Sequence, residues 1–336
     1  MPEWMKNGNF KNDIVLSTRV RLARNIKGLP FPSKMTLQSE VDLLTSKAKK
    51  SFMNNSDFEF IDFSKISNLE KWVLQERYLI SSEFAKRKYS GLILSRDEKL
   101  SIMIIEEDHF RLQSILPGLD IEKAYSLVDE MDNMLSKNAD YAFSKKLGYI
   151  ASCPTNLGTG MRVSVMLNLP ALNISGQMGS LIKDLETRGQ TCRGAFGEGS
   201  SPLGDLFQIS NEVTLGYSEK EILDGVKSSV LDIIKNEKEA EKALYQSNKG
   251  VVEDKVFRSL GTLKNARLIS TNEMTKCISY VNMGLSMGLL KNISHEKLYS
   301  LIINTRPASL AIDSGKVLPE NIRDEKRAAL VRNALA

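Results

Sequence analysis

The sequence predicts an α+β domain, with an antiparallel sheet flanked by helices, followed by an all-α C-terminal domain. Up to about residue 215, short β-like runs mix with a few helical stretches and show no regular βαβ alternation, which favours an antiparallel sheet. From Ser218 onward strand signals largely vanish and amphipathic helical patterns follow one another. We place the two domains at residues 1–243 and 244–336.

The strands of the first domain are predicted from short apolar runs. Residues 91–94 and 100–104 flank the polar segment Arg96-Asp97-Glu98 and are typical of a hairpin. Further strands are expected at 162–167 and 206–210. Helices are expected at about 37–53, 66–78, 121–136 and 176–188, and the last of these ends at Arg188-Gly189, a basic last turn followed by a glycine stop.

The helices of the second part begin with a capping box. In Ser218-Glu219-Lys220-Glu221 a hydroxyl and a carboxylate three residues apart can each bond the other's backbone N–H group, which predicts a long helix toward residue 248. Four more amphipathic helices are expected near 252–263, 271–288, 294–304 and 319–334.

Composition limits the classes of function. A hydrophobic content of 42% without any apolar run near the ~20 residues of a membrane helix predicts a soluble protein with no membrane partner. The net charge of +5 comes from basic residues interspersed with acidic ones, so nucleic acid is not expected as the main partner. Three cysteines, an odd number without metal-type spacing, predict reduced thiols in a cytoplasm and no metal site formed by the protein.

Arginines stand in short segments suited to binding phosphate. Arg19 and Arg21 fall on the same face of an extended segment because side chains alternate there. Arg111, Arg162 and Arg193 stand in similar polar contexts. Each arginine alone would be typical of a surface ion pair, but the planar guanidinium also meets phosphate oxygens in pairs. Phosphoryl transfer from ATP depends mainly on such positioning and charge neutralisation.

Two further segments carry reactive groups. The run Cys153-Pro154-Thr155-Asn156-Leu157-Gly158-Thr159 places a thiol in a loop whose free N–H groups suit an anion, and nearby cations push a thiol toward thiolate. The run Ile105-Glu106-Glu107-Asp108-His109 is rich in carboxylates. Two carboxylates can grip a guanidinium as a fork and take its proton, and the candidates are Glu106, Glu107 and Glu198.

Together these segments resemble the active-site motifs of the guanidino (phosphagen) kinases, which move a phosphoryl group between ATP and a guanidinium. The resemblance implies ATP and Mg²⁺ as cofactors, Glu107 as the base, Glu198 as the second clamp and Cys153 beside the guanidinium. It also implies a set of nucleotide-binding residues. These are Ser17, Thr18, Arg19, Val20, Arg21, Tyr78, Arg111, Arg162, Val163, Ser164, Val165, Met166, Arg193, Gly194, Ala195, Phe196, Gly197 and Glu198.

The sequence departs from the family pattern at two positions. Ile105 stands where the family usually has an asparagine before Glu-Glu-Asp-His. Tyr78 aligns with the adenine-stacking position, which is often histidine in close relatives, and a tyrosine can still offer a ring face.

The organisation of the chain resembles one bacterial branch of this family, whose members phosphorylate arginine side chains of other proteins. Small-molecule members carry a helical domain of roughly a hundred residues before the first phosphate-binding arginines. Here Arg19 arrives almost at once, and a helical C-terminal extension follows the catalytic part. The branch implies protein substrates with exposed arginines, a zinc-binding activator protein, a Clp-type chaperone, and a role in stress response and protein quality control. We also expect a homodimer.

A last motif, Arg323-Asp324-Glu325-Lys326-Arg327-Ala328, resembles the phosphoarginine-binding motif of this branch. On a helix Arg323 and Arg327 face the same way, so they could hold a phosphate while Asp324 meets the guanidinium. Two alternatives stay open: a kinase of free arginine or another small guanidino compound, and an inactive adaptor that only binds phosphoarginine.

Overall fold

The computed structural model describes residues 1–6, 8, 10, 13–194 and 203–336. Eight strands form one antiparallel sheet in the order β2-β3-β4-β5-β1-β8-β10-β9, and β6 and β7 form a small hairpin. Within the described residues the strands are β1 Val15–Arg24, β2 Phe58–Asp62, β3 Gly91–Ser95, β4 Leu100–Ile104, β5 Phe110–Pro117, β6 Phe143–Ser144, β7 Gly148–Tyr149, β8 Met161–Asn168, β9 Gln190–Gly194 and β10 Leu206–Asn211. The predicted antiparallel sheet is confirmed, including the hairpin of β3 and β4.

The helices follow the predicted order. In the first part they are α1 Gln38–Phe52, α2 Asn68–Glu76, α3 Ser82–Ala85, α4 Ile121–Ser136, α5 Pro170–Ile174, α6 Met178–Thr187 and α7 Glu219–Ser247. Beyond them come α8 Lys249–Asn265, α9 Thr271–Ser286, α10 His295–Asn304, α11 Pro307–Ala311 and α12 Glu320–Leu335. The capping box at the start of α7 is present, with both Ser218 and Glu221 bonding the other's backbone N–H group. The predicted boundary at 243/244 falls within α7 and stays a prediction.

One face of the sheet is covered by α4 and α7, which pack on the central strands. Val20 on β1, Leu112 on β5 and Val163 on β8 point to this side and are completely buried. Because side chains alternate along a strand, the polar residues between them point to the opposite face. The sheet therefore has one apolar face that forms the core and one polar face that is free to form a site.

The C-terminal helices form a packed module of their own. Gly284 on α9 allows the close approach to α8, because a Cβ atom there would lie only 2.3 Å from Cγ1 of Val256. The module also contacts the sheet domain: the buried Asp205 accepts a hydrogen bond from Ser279 Oγ (2.6 Å) and pairs with Lys276 (2.7 Å). These contacts hold the helical module against the sheet domain.

Candidate functional site

The central strands bring the predicted arginines together through their register. Arg21 on β1 lies directly opposite Arg162 on β8 and opposite Gln113 on β5. Directly opposite residues share a face of an antiparallel sheet, and so do residues two apart on one strand. Arg19 and Arg111 therefore lie on the same face as Arg21. Three neighbouring strands contribute four guanidinium groups to this face.

The same face continues through the outer strands. Ser210 on β10 lies opposite Ser164 on β8, and Gln208 lies opposite Arg193 on β9. Arg19 donates to Gln208 Oε1 at 2.7 Å and to Ser164 Oγ at 3.4 Å. Gln208 and Ser210 were not predicted as site residues. Their signal is the polar alternation within the short run Leu206–Asn211, which marks a strand with one polar face.

A cavity of about 630 Å³ lies over this face, a size ordinary for a small-molecule site. Its charged lining consists of seven arginines and three glutamates, namely Arg19, Arg21, Arg87, Arg111, Arg162, Arg193, Arg306, Glu83, Glu106 and Glu107. The excess of fixed positive charge suits a polyanion such as a nucleotide polyphosphate.

In this cluster the charged forms of Arg19 and Arg21, both on β1, are destabilised. Burial lowers the pKa of Arg19 to about 10, and the nearby cations Arg111 and Arg162 add to the effect. The pKa of Arg21 is also lowered, first by burial and then by Arg19 and Arg111. Among the described residues, Arg21 Nε is buried without a hydrogen-bond partner. A bound anion would relieve both the repulsion and the unmade hydrogen bond.

Glu106 is the internal counter-ion of the cluster. Its carboxylate pairs with Arg111 at 2.6 Å and accepts hydrogen bonds from Ser81 Oγ (2.6 Å) and the Glu107 N–H group (2.6 Å). Burial alone would raise the pKa of Glu106, but Arg111 and these hydrogen bonds hold it below its ordinary value. Glu106 is thus a stable anion that orients Arg111.

Glu107 lies in a different environment, although it is the next residue. Its side chain is exposed and faces the cavity. Partial burial raises the pKa of Glu107, and the charges of Asp108 and Glu106 raise it further against the opposing effect of Arg111. A carboxylate with a raised pKa is a stronger base, so Glu107 is the better proton acceptor of the two.

The turn that presents these glutamates begins with a strained backbone. Ile105 has φ of 64°, a left-handed conformation that a β-branched residue rarely adopts and that asparagine tolerates far better. The backbone conformation at this position thus favours asparagine or glycine over a β-branched residue. In this chain the Ile105 side chain is 5% exposed, and its burial offsets the strain.

Cys153 lines a smaller cavity of about 200 Å³ that adjoins the first. Arg21, Glu107, Arg111 and Arg162 line both cavities. Cys153 Sγ lies 3.1 Å from Thr155 Oγ1. The smaller cavity thus places the Cys153 thiol close to Glu107 and next to Arg21, Arg111 and Arg162.

The Cys153 loop is fixed from two sides. Thr214 Oγ1 donates to the carbonyl groups of Thr155 (2.8 Å) and Leu157 (2.6 Å). Gly160, with φ of 64°, passes so close to β1 that a Cβ atom there would lie 2.7 Å from the Ala23 carbonyl oxygen. The small and polar residues of this run therefore allow the loop to pack closely against β1.

Asp108 joins the acidic turn to the Cys153 loop. Its Oδ1 accepts hydrogen bonds from Asn25 Nδ2 (2.6 Å) and from the Ser152 N–H group (2.7 Å). His109 is completely buried, and its Nδ1 accepts from the Ile26 N–H group at 2.9 Å, which leaves Nε2 to donate to the Pro30 carbonyl at 2.7 Å. Burial lowers the pKa of His109, as expected for a structural histidine.

The predicted nucleotide-binding residues divide into four groups. Arg19, Arg21, Tyr78, Arg111, Arg162 and Arg193 line the larger cavity. The side chains of Thr18, Val20, Val163 and Val165 alternate with those of the site residues and point to the helix-covered face. A third group lies on the same strands and consists of Ser17, Ser164, Met166 and Gly194. The last four predicted residues lie outside the described residues and are Ala195, Phe196, Gly197 and Glu198.

The C-terminal motif lies on α12, away from the sheet. Arg327 is buried: its guanidinium donates to the carbonyl groups of Thr305 (3.0 Å) and Ile269 (2.8 Å) and pairs with Asp324. Arg323 is half-buried, and its Nε has no hydrogen-bond partner among the described residues. The two arginines therefore differ: Arg327 is hydrogen-bonded within the protein, whereas Arg323 Nε makes no hydrogen bond to the described residues.

Within the described residues, no three histidine, cysteine, aspartate or glutamate side chains are grouped so that they could hold a metal ion.

None of the described helices combines the length and apolarity that crossing a membrane requires.

Comparison with known proteins gives consistent matches. Residues 40–240 match the family described as ATP:guanido phosphotransferase, C-terminal catalytic domain, and residues 249–336 match the protein-arginine kinase McsB C-terminal domain. A protein-arginine kinase of Bacillus pumilus is 42% identical over 340 residues, covering 100% of this chain and 93% of that protein. A protein-arginine kinase of Clostridium acetobutylicum is also 42% identical, with both chains fully covered.

Solved structures agree on the fold. Lombricine kinase superposes with a TM-score of 0.63 at 24% identity, covering 70% of this chain and 69% of the other. The duplicated taurocyamine kinase from Schistosoma mansoni superposes with a TM-score of 0.61 at 20% identity, covering 86% of this chain and 49% of the other.

Proposed function

Because the chain belongs to the ATP:guanido phosphotransferase family, in the branch of the protein-arginine kinases, we propose that it transfers the γ-phosphoryl group of ATP to arginine side chains of proteins. One observation carries the proposal. The arginine-lined cavity and the smaller cavity with Cys153 adjoin, and Glu107 lines both. A phosphate donor and a guanidinium acceptor would therefore meet at Glu107.

The nucleotide would occupy the larger cavity. Its phosphates would be held by Arg19, Arg21, Arg111, Arg162 and Arg193, whose planar guanidinium groups suit phosphate oxygens. Tyr78 lines the same cavity, and its ring could offer a face to the adenine. Mg²⁺, where bound to the nucleotide, would neutralise charge on the phosphate oxygens.

The acceptor guanidinium would occupy the smaller cavity. Glu107 would orient it and take a proton from the attacking nitrogen as the N–P bond forms, while the bond between the γ-phosphorus and the bridging oxygen breaks and its electron pair leaves with ADP. Cys153 would help to fix the guanidinium, and Glu198 would serve as the second carboxylate.

A protein-borne arginine is favoured as the acceptor over free arginine by the relatives that match over the full length of the chain, which are named protein-arginine kinases. Glu107, Cys153 and the arginines of the cavity are all present, which supports an active kinase over an inactive adaptor. The resemblance to this branch further supports a cytoplasmic homodimer with a zinc-binding activator protein, which marks proteins for a Clp-type chaperone. Arg323, Asp324 and Arg327 would bind phosphoarginine.

The direct test is detection of phosphoarginine after incubation of the chain with ATP, Mg²⁺ and an unfolded arginine-rich protein, by mass spectrometry under conditions that avoid acid. Free arginine at matched concentration is the competing acceptor. Phosphoarginine in the protein, absent with Glu107→Gln, supports the proposal. Rapid ATP consumption with free arginine alone would support the small-molecule alternative, and binding of phosphoarginine without any ATP turnover would support the adaptor.

A further inference from the structure

One residue of the larger cavity comes from the C-terminal helical module. Arg306 lines this cavity together with Arg19, Tyr78, Arg193 and Gln208. Among the described lining residues it is the single one beyond the sheet domain, because every other one lies at or before residue 208. Arg306 does not line the smaller cavity that contains Cys153. Its position is therefore at the nucleotide end of the site.

The backbone after Arg306 is held by the sheet domain. Arg306 is the N-cap residue of α11, with φ of −73° and ψ of 159°. The carboxylate of Glu76, at the end of α2, accepts hydrogen bonds from the N–H groups of Ala308 and Ser309 (2.8 Å each) and from Ser309 Oγ (2.9 Å). Glu76 is 8% exposed, so this clamp is well shielded from water. The contact aligns the start of α11 with the cavity.

The backbone before Arg306 is held by the helical module. The carbonyl of Thr305 accepts a hydrogen bond from Arg327 Nε at 3.0 Å, and Thr305 Oγ1 donates to the Leu301 carbonyl at 2.7 Å. Thr305 and Arg327 are both buried. Because both neighbouring peptide segments are anchored, the position of Arg306 in the cavity is built into the junction of the two domains.

Electrostatics favours a polyanionic ligand for this residue. A further guanidinium in a cavity that already holds six others is repelled by them. The pKa of Arg19 is lowered mainly by burial, and the repulsion from Arg111 and Arg162 adds to this effect. A fixed cation in such a place is useful where a ligand carries several negative charges. The acceptor guanidinium is itself positive, so a contact with Arg306 would oppose its binding.

We propose that Arg306 is a nucleotide-binding residue that contacts the polyphosphate of ATP, so that the helical module completes the nucleotide site. The proposal rests on the proposed function, since it assigns the larger cavity to ATP. It adds that the nucleotide site is assembled from both domains, and that Glu76 positions Arg306 by clamping α11.

The test is calorimetric titration of the full chain with ATP, ADP and adenosine, comparing wild type with Arg306→Gln and Arg306→Lys. Arg267→Gln is the matched control, because Arg267 is an exposed arginine of the same module that donates to the nearby Asn265 carbonyl (2.9 Å). A lost charge-assisted hydrogen bond predicts a Kd for ATP and ADP about ten- to a hundredfold higher in Arg306→Gln. The Kd of Arg306→Lys for ATP and ADP should lie between those of the wild type and Arg306→Gln. The affinity for adenosine, which carries no phosphate, should change little.

Unchanged ATP affinity in a folded Arg306→Gln variant would overturn the proposal and leave the proposed function intact. Failure of the wild type to bind ATP would instead overturn the proposed function. In steady state, Arg306→Gln should raise the KM for ATP and leave the KM for the protein substrate unchanged. A rise confined to the protein substrate would place Arg306 at the acceptor end and overturn the assignment.

Glu76→Gln tests the positioning role. If Glu76 acts through Arg306, Glu76→Gln should weaken ATP binding when Arg306 is present. In the Arg306→Gln variant the same substitution should cause no further loss of ATP affinity. Equal additional weakening in both backgrounds would contradict that role. Circular dichroism and thermal unfolding without nucleotide show whether each variant is folded.

Discussion

At the scale of single residues, Glu106 and Glu107 are neighbours with opposite electrostatic environments. Glu106 is 3% exposed and tied to Arg111, and its pKa is lowered. Glu107 is exposed toward the cavity, and its pKa is raised by burial and by the adjacent carboxylates. Two titratable groups whose pKa values are pushed apart often divide their roles, one holding a charge and the other moving a proton.

This difference predicts the effect of Glu107→Gln. The amide cannot accept the proton, so turnover should fall by about 10²–10⁴-fold while ATP affinity stays near that of the wild type. Glu83→Gln is the control, because Glu83 lines the same cavity but pairs with the exposed Lys86 at 2.7 Å. The measurement is kcat together with ATP titration. Turnover of Glu107→Gln near the wild-type rate would exclude Glu107 as the base.

The same residue sets an expected pH dependence. The base must be deprotonated, so activity should fall as pH falls through the pKa of Glu107. Since that pKa is raised, the acid limb of kcat/KM should lie above the ordinary glutamate value of 4.5. In Glu107→Gln the residual activity should lack this limb.

At the scale of elements, sequence patterns predicted the hairpin of β3 and β4, most helices and the segments that carry the arginines. They missed β2, β5, β9 and the short β6–β7 hairpin as strands. In β5 the polar residues Arg111, Gln113 and Ser114 interrupt the apolar run. The pairing of Arg21 with Arg162 depends on long-range register, which no local pattern encodes. The contribution of Arg306, which comes from a distant helical element, could not be predicted for the same reason.

The contact between the acidic turn and the Cys153 loop leads to a prediction at this scale. Asp108→Ala removes the acceptor for both Asn25 Nδ2 and the Ser152 N–H group. The two loops should then shift relative to each other, and a misplacement near 1 Å can cost about 10²-fold in turnover. Asp108→Asn keeps an acceptor oxygen and should retain much more activity. Equal loss in both variants would contradict a positioning role through Oδ1. Comparison of kcat with ATP affinity separates this effect from a general loss of folding.

Helix α7 contains a buried acid that should make stability depend on pH. Burial raises the pKa of Glu237 to about 8, although its carboxylate accepts hydrogen bonds from the N–H groups of Ala171 (2.7 Å) and Leu172 (2.9 Å). The folded state therefore retains a proton between pH 4.5 and about 8 that the unfolded state has lost. The contribution of Glu237 to the free energy of unfolding should fall as pH rises through this range, by up to about 1.4 kcal/mol per pH unit.

Denaturant unfolding of the wild type and Glu237→Gln across pH 5–9 tests this. The variant has no titrating carboxyl at this position, so its stability should decline less between pH 5 and 8. Parallel pH profiles for the two proteins would contradict a raised pKa for Glu237. Glu239→Gln serves as the control, since Glu239 lies on the exposed side of the same helix.

At the scale of the whole molecule, buried polar contacts join the two domains in several places. The carbonyl of Asp13 accepts hydrogen bonds from Tyr299 Oη (2.6 Å) and Asn282 Nδ2 (2.8 Å), and Glu76 clamps the start of α11. Arg327 of the C-terminal motif bonds the Thr305 carbonyl, directly before Arg306. A ligand that contacts the motif would therefore act on the same segment that carries Arg306 into the cavity.

The last prediction separates the two arginines of the C-terminal motif. In Arg323→Gln the affinity for phosphoarginine should fall about tenfold or more. Thermal stability should change little, because Arg323 is half-buried and its Nε has no hydrogen-bond partner among the described residues. Arg327→Gln should also lower the unfolding temperature, because it leaves the buried carbonyl groups of Thr305 and Ile269 without their donor, at about 1–3 kcal/mol for each unsatisfied group.

Calorimetry with free phosphoarginine and thermal unfolding measure the two effects, with the exposed Lys326→Gln on the same helix as the control. Wild-type affinity in Arg323→Gln would mean that α12 does not bind phosphoarginine through this residue. Unchanged stability in Arg327→Gln would mean that its internal hydrogen bonds are replaced by water, and Arg327 would then be available to a ligand. Retained ATP binding is expected in Arg323→Gln and Lys326→Gln, because neither side chain lines the larger cavity, whereas Arg327→Gln should weaken ATP binding because it removes the hydrogen bond that anchors Thr305 before Arg306.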